Sequence, residues 1–319
     1  MSLASANPKG VFLARLEDRA RMLGRARDFF FERDILEVDT PILSKRASVD
    51  AHIDLIEAVA LGERCFLHSS PEYGMKRLLS MGMGDIYQLS HVFRDEEMGS
   101  HHNPEFMMAE WYRIGFTFEE MIQETAEFCA LFLNIEPTFD FLTYNQAFLK
   151  YCGFNPKEMT KERLLSYLKE RGISIPSEAS REELLHLCLT FLVEPHLGKM
   201  QLLALTDYPS SEAALARTRT VENEEVAMRF ELYFRGVELA NGYHELTDAN
   251  EQKKRFLEEN QERLDLGKKA FPFDTEFLEA LRKGLPDCCG VAVGIDRLMM
   301  LRHRASTLEE VIPFTWEAS

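Results

Sequence analysis

The sequence lacks the markers of several protein classes. Its six cysteines contain no C-x-x-C pair and no zinc-ligand spacing, so neither a structural zinc site nor a dithiol centre is expected. No apolar run approaches the roughly 18 residues that a membrane-spanning helix needs, and the N-terminus shows no apolar segment of a secretory signal. These absences predict reduced thiols and a cytoplasmic location.

Basic residues are also scarce. There are 37 lysines and arginines against 53 aspartates and glutamates, which gives a formal net charge of −16. Broad binding to nucleic acid or to an anionic membrane needs a basic surface, so this balance argues against both. Two nucleotide-binding fingerprints are absent as well, since the chain has neither a Walker A loop nor a dinucleotide-binding glycine pattern.

What remains is a chain that can build a substantial core. Its 319 residues are 45% hydrophobic and show no repeat, low-complexity tract or obvious linker. We predict one domain over residues 1–319, with a mainly helical insertion at about 140–205 that lies away from the chemistry. Apolar residues at helical spacing predict further helices at 13–33, 71–81, 117–134, 249–267 and 274–283.

The first helix is followed by a predicted strand that ends at Pro41, where a ladder of hydrogen bonds must stop. This pair is either an ordinary helix with an edge strand or a dimer element. The second interpretation is open because an edge strand beside an apolar helix can pair with its copy in another subunit.

The stretch from Asp85 to Gly115 predicts two strands joined by a polar loop. From Asn103 onwards its residues alternate, so one face of the second strand carries Phe106, Met108, Glu110, Tyr112 and Ile114. The incoming strand delivers Arg94 and Glu96, and the loop adds His101 and His102. This set suits a phosphate-bearing ligand with a flat base, although a solvated surface hairpin has the same pattern.

A second hairpin is predicted at 226–242, with a two-residue turn at Arg235-Gly236. That turn pairs Tyr233 with Glu238 and leaves Glu231 on the same face, one diagonal away, at roughly 7–8 Å or less. Two carboxylates at that separation can share Mg²⁺ with phosphate oxygens. The alternative is a solvated acidic face.

Two helix starts complete the candidate residues. Ser70 and Pro71 suit the beginning of the helix at 71–81, and Glu72 in its first turn either complements the helix dipole or faces a cationic ligand. Near the C-terminus, a strand of small residues from Gly290 feeds a helix with Arg297 in its first turn, which predicts an anion site.

Three of these stretches, in this order, resemble the three motifs of class II aminoacyl-tRNA synthetases. They are the helix and strand ending at Pro41, the F-R-x-E hairpin from Phe93 with its His102–Phe106 segment, and the G-x-x-x-G-I-D-R run from Gly290 to Arg297. The segments SPEYGMKRLL, HHNPEF and VELANGYHELTDANEQ are similar to the lysine-specific branch. The resemblance implies an α+β fold with an antiparallel sheet flanked by helices, and a homodimer formed through the first motif.

Within that branch the chain resembles the truncated paralogues that attach (R)-β-lysine to a lysine side chain of elongation factor P. The similar segments include FRDEEMGSHHNPEFMMAEWY, FLVEPHLGK and GLPDCCGVAVGIDRLMML. The first motif begins so early that no anticodon-binding domain is expected before it. Ala292 also stands where the synthetases usually have glycine, and one carbon is worth about 1–3 kcal/mol of substrate discrimination.

The resemblance implies two sets of site residues. Arg94 and Arg297 would be the catalytic cations on the α- and γ-phosphates of ATP, and Glu231 and Glu238 would hold Mg²⁺. The full set implied for ATP binding is Arg94, Glu96, His102, Asn103, Phe106, Glu238 and Arg297. The set implied for the lysine-like substrate is Glu72, Glu110, Tyr112, Asn241, Glu245 and Ala292.

The resemblance therefore implies an ATP- and Mg²⁺-dependent ligase with (R)-β-lysine and elongation factor P as partners. Two other functions are considered. One is a lysyl-tRNA synthetase-like enzyme that charges tRNA with α-lysine, which the charge of −16 disfavours. The other is a non-catalytic regulatory paralogue, which would have no need of Arg94, Glu231, Glu238 and Arg297 together.

Overall fold

The structure is a computed structural model that describes residues 8–319. Its helices are α1 (Pro8–Phe31), α2 (Glu72–Ser80), α3 (Phe118–Leu133), α4 (Tyr144–Cys152), α5 (Lys161–Glu170), α6 (Arg181–Cys188), α7 (Ala249–Asp265), α8 (Thr275–Gly284) and α9 (Ile295–Arg302). Its strands are β1 (Leu36–Glu37), β2 (Leu43–Ser44), β3 (Glu57–Ala60), β4 (Glu63–Leu67), β5 (Ile86–Phe93), β6 (Glu105–Ile114), β7 (Phe139–Thr143), β8 (Leu202–Pro209), β9 (Thr218–Val221), β10 (Glu224–Phe234), β11 (Val237–His244) and β12 (Cys288–Gly294).

A nine-stranded sheet runs through these residues in the order β1-β5-β6-β12-β11-β10-β8-β7, with β9 on β10. The pairs are antiparallel except for β1 with β5 and β7 with β8. A small sheet, β2-β4-β3, lies apart from it. The predicted α+β class, an antiparallel sheet flanked by helices, is confirmed.

One face of the large sheet is closed by α1, α3 and α9, whose apolar residues share a core with it. Phe30 of α1 stacks on Tyr87 with 4.1 Å between the ring centroids and meets Trp111 edge-on at 5.3 Å. The alternation predicted for β6 is therefore confirmed, because Trp111 and Ala109 enter this core while Glu110 and Tyr112 point to the opposite face.

The predicted strand before Pro41 is shorter than expected. Strand β1 covers Leu36–Glu37 and runs parallel to the start of β5, and just beyond it the Val38 N–H still donates to the Tyr87 carbonyl at 2.8 Å. Further on, the Thr40 N–H and hydroxyl donate to the side-chain Oε1 of Gln88 instead of a backbone carbonyl, which ends the ladder of this edge strand. The preceding helix begins at Pro8 and ends at Phe31, where the prediction was 13–33.

The predicted insertion contains α4, α5 and α6, whose apolar residues form one cluster with side chains of β8 and β10. Where the chain returns from the insertion to the sheet, its backbone packs closely against β10. Gly198 has φ +62°, and a Cβ there would lie 2.4 Å from the carbonyl oxygen of Tyr233. The division into one domain with an insertion stays a prediction.

None of the helices between residues 8 and 319 has the length and apolarity needed to cross a membrane.

Candidate active site

A row of polar side chains crosses the open face of the sheet. The strand register places Glu231 opposite Asn241, Asn241 opposite Ala292, and Ala292 opposite Glu110. The predicted pairing of Tyr233 with Glu238 is confirmed. An uninterrupted hairpin would then put Ala240 opposite Glu231, but a bulge between Leu232 and Tyr233 shifts the register and brings Asn241 there instead.

One end of this row is a buried acidic pocket. Glu110, which is 2% exposed, accepts hydrogen bonds from the Ser70 hydroxyl at 2.6 Å and from the Tyr112 hydroxyl at 2.8 Å. The same Ser70 oxygen accepts from the backbone N–H of Glu72 at 2.9 Å, at the start of α2. A short serine at this helix start therefore connects the predicted amine-binding residues of α2 and β6.

The pocket already holds one cation. The ammonium of Lys76 lies 2.5 Å from Oε1 of Glu72 and 2.5 Å from Oε2 of Glu245, and the Lys76 side chain is 1% exposed. Burial alone would lower the pKa of Lys76, but the charges of Glu245 and Glu72 outweigh it and raise the pKa well above its usual range. Lys76 was not among the site residues predicted from the sequence.

Position 290 must be glycine because two neighbouring side chains lie too close for a Cβ atom. A Cβ there would lie 2.3 Å from the ring of Tyr112 and 2.4 Å from Oε1 of Glu245. Both predicted substrate contacts thus rest directly on the β12 backbone, and Ala292, two residues further on, is half-buried in the same face.

Burial also shifts the titration of the pocket acids. It raises the pKa of Glu110 to about 8, with the negative charge of Glu72 acting in the same direction. Burial raises the pKa of Glu245 as well, against the opposing effect of the Lys76 ammonium. A cationic ligand would favour the ionised form of both carboxyls.

The other end of the row gathers the predicted phosphate-binding residues. Nη1 of Arg297 donates to Oε2 of Glu238 at 3.1 Å, and Nη2 donates to Nε2 of His102 at 2.8 Å. Burial and the nearby Arg297 charge lower the pKa of His102, which suits a neutral ring that accepts from the guanidinium. Arg297, Glu238 and His102 are therefore brought together.

Arg94 lies over the ring of Phe106, with its Cζ 5.2 Å from the ring centroid. Its Nε is buried and has no hydrogen-bond partner within residues 8–319, and its only ion pair is a 3.4 Å contact with Glu97. The Arg94 guanidinium therefore still has hydrogen-bonding capacity for an anionic ligand.

Glu96 and Asn103 are placed differently from what an adenine contact suggests. Glu96 is exposed in the β5–β6 loop with φ +61°. Asn103 is buried, and its amide is used within the protein: Nδ2 donates to the Glu105 carbonyl at 2.6 Å, while Oδ1 accepts from the Trp316 N–H at 3.0 Å. Asn103 thus anchors the C-terminal segment, and its adenine role stays a prediction.

Glu231 and Glu238, the two carboxylates predicted to bind Mg²⁺, already accept hydrogen bonds from protein side chains. Oε2 of Glu231 accepts from the hydroxyls of Tyr208 at 2.6 Å and Tyr233 at 2.5 Å, and Oε1 is 2.6 Å from Nη2 of Arg229. These donors outweigh the effect of burial and lower the pKa of Glu231. The pKa of Glu238 is raised by burial and by the charge of Glu231.

A third carboxylate stands beside this pair. Glu194, in the last turn of the predicted insertion, contacts the Tyr233 hydroxyl at 3.3 Å. Burial raises its pKa to about 7, and the charges of Glu231 and Glu238 add to the shift. The chain thus returns from the predicted insertion directly against the predicted metal pair.

The two carboxylates fit Mg²⁺ only if phosphate oxygens complete its shell. No cluster of three or more His, Cys, Asp or Glu with metal-binding geometry occurs between residues 8 and 319. Mg²⁺ is commonly held by one or two carboxylates together with substrate phosphates. The mutual repulsion that raises the pKa of Glu238 is the kind of excess negative charge that a divalent cation would relieve.

Sequence reasoning thus missed Lys76, Ser70 and Glu194 as members of the site. Lys76 follows Glu72 by one helical turn, so the i, i+4 spacing was a usable signal. Glu194 had no such local signal, since only the return of the insertion to β10 brings it to Tyr233.

Comparisons with known proteins show which family the chain belongs to. The family model of class II tRNA synthetases (D, K and N) matches residues 9–318. Three relatives, from Salmonella typhi, Salmonella gallinarum (strain 287/91 / NCTC 13346) and Salmonella dublin, are named elongation factor P–(R)-β-lysine ligases. Each is 42% identical over 311 residues, which cover 95% of both chains. The chain belongs to the class II tRNA synthetase family of the D, K and N type.

Proposed function

We propose that this protein activates (R)-β-lysine with ATP and transfers the β-lysyl group to a lysine side chain of elongation factor P. The observation that carries the proposal is the polar row itself. It joins a buried acidic pocket, suited to ammonium groups, to a cluster of arginines suited to phosphates, with Ala292 between them. The names of the relatives supply the chemical identities.

In the first step, the substrate carboxylate attacks the α-phosphorus of ATP, and pyrophosphate leaves. Negative charge grows on the α-phosphate oxygens, and a fixed cation there stabilises the transition state. Arg94 is suited to this role because its Nε is buried and finds no hydrogen-bond partner in the described part of the chain, residues 8–319. Arg297 would contact the γ-phosphate from the opposite side of the site.

The acidic pocket would hold the two ammonium groups of the substrate. Glu110, Tyr112 and Glu245 would take the terminal ammonium, and Glu72 the one nearer the carboxylate. Asn241 supports the same orientation, because its Oδ1 is buried and has no hydrogen-bond partner within residues 8–319. Phe106, with Arg94 over it, offers a planar surface for adenine.

In the second step, the ε-amine of the acceptor lysine attacks the acyl carbon and AMP leaves. The amine must first lose a proton, since its ordinary pKa is about 10.4. No cysteine acts as a carrier in this scheme, which fits the burial of all six thiols. Mg²⁺, held by Glu231 and Glu238, would neutralise phosphate charge when ATP is bound.

We place the reaction in the cytoplasm and the protein in a homodimer. The side of the fold formed by α1 and β1 supports the dimer, because β1 is an edge strand and apolar side chains nearby are exposed: Leu13 by 49%, Phe31 by 81% and Leu36 by 57%. Light scattering at micromolar concentration should give twice the chain mass. A monomer mass would contradict this part of the proposal.

The central test is ATP–pyrophosphate exchange with α-lysine and with (R)-β-lysine, followed by transfer to elongation factor P. We expect a preference for (R)-β-lysine that weakens in Ala292→Gly, because the added methyl of alanine is worth about 1–3 kcal/mol of discrimination. A preference of the unmutated protein for α-lysine would refute the proposed substrate.

Two alternatives have distinct outcomes in the same assays. Robust charging of lysine tRNA by the purified protein would favour a lysyl-tRNA synthetase-like enzyme. Absence of exchange with either lysine isomer would favour a non-catalytic regulator. Neither alternative explains both the incompletely used Arg94 and the alanine at position 292.

A further inference from the structure

A buried lysine lies between two of the acids to which we assign the substrate's ammonium groups. Lys76 follows Glu72 by one turn of α2, so their side chains share a face of the helix. Glu245 arrives from the chain just beyond β11. The Lys76 ammonium is 2.5 Å from one oxygen of each, with its side chain 1% exposed. A lysine buried to this degree requires carboxylate partners.

The contacts of Lys76 divide the oxygens of both acids into two sets. Lys76 uses Oε1 of Glu72 and Oε2 of Glu245. Oε1 of Glu245 instead lies on the sheet face, above Gly290. The two ion pairs of Lys76 thus leave the other oxygen of each acid, Oε2 of Glu72 and Oε1 of Glu245, outside its contacts. Each acid therefore keeps one oxygen for a ligand.

The charges of the pocket lead to the same result. Glu72, Glu110 and Glu245 supply three carboxyls and Lys76 one ammonium. Arg217 donates to the backbone carbonyl of Glu245, and its charge is paired with Asp287 at 2.8 Å. The ionised pocket thus carries two uncompensated negative charges, which matches a substrate with two ammonium groups.

We propose that Lys76 is a positioning residue that makes the pocket selective for diamino acids. It clamps Glu72 and Glu245 so that each presents one oxygen to one ammonium group of the substrate. A substrate with a single amine leaves a buried carboxylate unpaired, and such sites reject analogues that lack the expected partner. The proposal rests on the proposed function only in taking a lysine-like substrate.

The test compares Lys76→Met, Lys76→Arg and the control Arg77→Met, which changes the next, exposed residue of α2. Exchange assays give the KM for (R)-β-lysine, the KM for ATP and the rate with 6-aminohexanoic acid, which lacks the second amine. For Lys76→Met we expect the amino-acid KM to rise at least tenfold and the ATP KM to stay within twofold. Discrimination against 6-aminohexanoic acid should fall at least tenfold.

The arginine variant separates charge from position. Arginine keeps the positive charge, but its planar guanidinium cannot occupy the position that the compact ammonium holds between the two carboxylates. We expect the amino-acid KM to remain raised at least threefold, and a KM equal to that of the unmutated protein would refute the clamp. Lys76→Arg also decides the question if Lys76→Met does not fold. A mainly structural lysine would lower kcat without changing discrimination, which would likewise refute the proposal.

Calorimetric measurement of (R)-β-lysine and α-lysine binding to the same variants distinguishes failure of the proposed ligase activity from failure of the proposed role of Lys76. If the unmutated protein binds these diamino acids but shows no exchange, the proposed ligase activity fails while the clamp is still measured. If it binds neither, the clamp itself is refuted.

Discussion

Arg297 and Glu238 are joined at two points. Nη1 of Arg297 donates to the Glu238 carboxylate at 3.1 Å and to its backbone carbonyl at 3.0 Å. This contact fixes the first turn of α9 against the start of β11, so the predicted γ-phosphate contact and a predicted magnesium ligand form one unit. ATP binding should therefore depend on the guanidinium shape as well as on its charge.

Replacing Arg297 by lysine tests this dependence. The variant keeps the charge but loses the fork that contacts Glu238 and His102, so we expect the KM for ATP to rise at least tenfold. The KM for the amino acid should change less than threefold. Arg302→Lys is the matched control, because Arg302 lies in the same helix and pairs with Asp18. An ATP KM equally raised in both variants would contradict the assignment.

Asn103→Ala should lower the stability of the fold. The amide joins the Glu105 carbonyl to the Trp316 N–H, and its loss leaves buried groups unsatisfied at a cost of about 1–3 kcal/mol. Urea unfolding measures the change in free energy. Asn103→Asp is the comparison, since it retains the acceptor for Trp316. A higher ATP KM with unchanged stability would show that Asn103 serves the nucleotide alone.

Gly290→Ala should damage both the fold and the amine pocket. The new Cβ would lie 2.3 Å from the Tyr112 ring and 2.4 Å from the Glu245 carboxylate, and both of these groups are buried. We expect a lower midpoint of thermal unfolding and loss of amino-acid binding. Gly294→Ala on the same strand is the control for stability, because its Cβ would meet only atoms at 3.9 Å or more. Equal midpoints for the two variants would contradict the close approach.

Stability without ligand should fall as the pH rises. The folded protein holds a proton on Glu110 up to a pKa of about 8, whereas the unfolded chain releases it near 4.5. The folded state therefore binds more protons between these values, and linkage makes unfolding easier as the pH increases through that window. Thermal unfolding from pH 5.5 to 8.5 measures this, with Glu110→Gln as the variant that should lose part of the slope.

The titration of Glu110 also predicts how stabilisation by the ligand depends on pH. An ammonium group favours ionised Glu110, so (R)-β-lysine should stabilise the protein more at pH 8.5 than at pH 6. A shift in unfolding temperature that is equal at both values would show that Glu110 does not titrate with binding.

Glu194→Gln should weaken the apparent affinity for Mg²⁺ in the exchange reaction. Glu194 adds negative charge beside Glu231 and Glu238, and its removal lowers the attraction for a divalent cation. We expect the Mg²⁺ concentration for half-maximal exchange to rise severalfold. Glu182→Gln, on an exposed position of the same insertion, is the control. An unchanged requirement would confine Glu194 to a role in packing.

The sequence by itself determined the elements that depend on local periodicity. Alternation along β6 separates Trp111 from Glu110 and Tyr112, since successive residues of a strand must face opposite sides. The Arg235-Gly236 turn likewise set the pairing of Tyr233 with Glu238, because a two-residue loop leaves one register for its first pairs. The motifs then placed the arginines and acids in order along the chain.

Only the tertiary structure decided how these groups meet. The bulge in β10–β11 moves Asn241 opposite Glu231, and hairpin rules alone do not contain it. The pairing of Lys76 with Glu245 and the approach of Glu194 to Tyr233 join distant parts of the chain. Ion pairs and close approaches of this kind depend on where packed helices and strands come to rest, and no local pattern of residues encodes that.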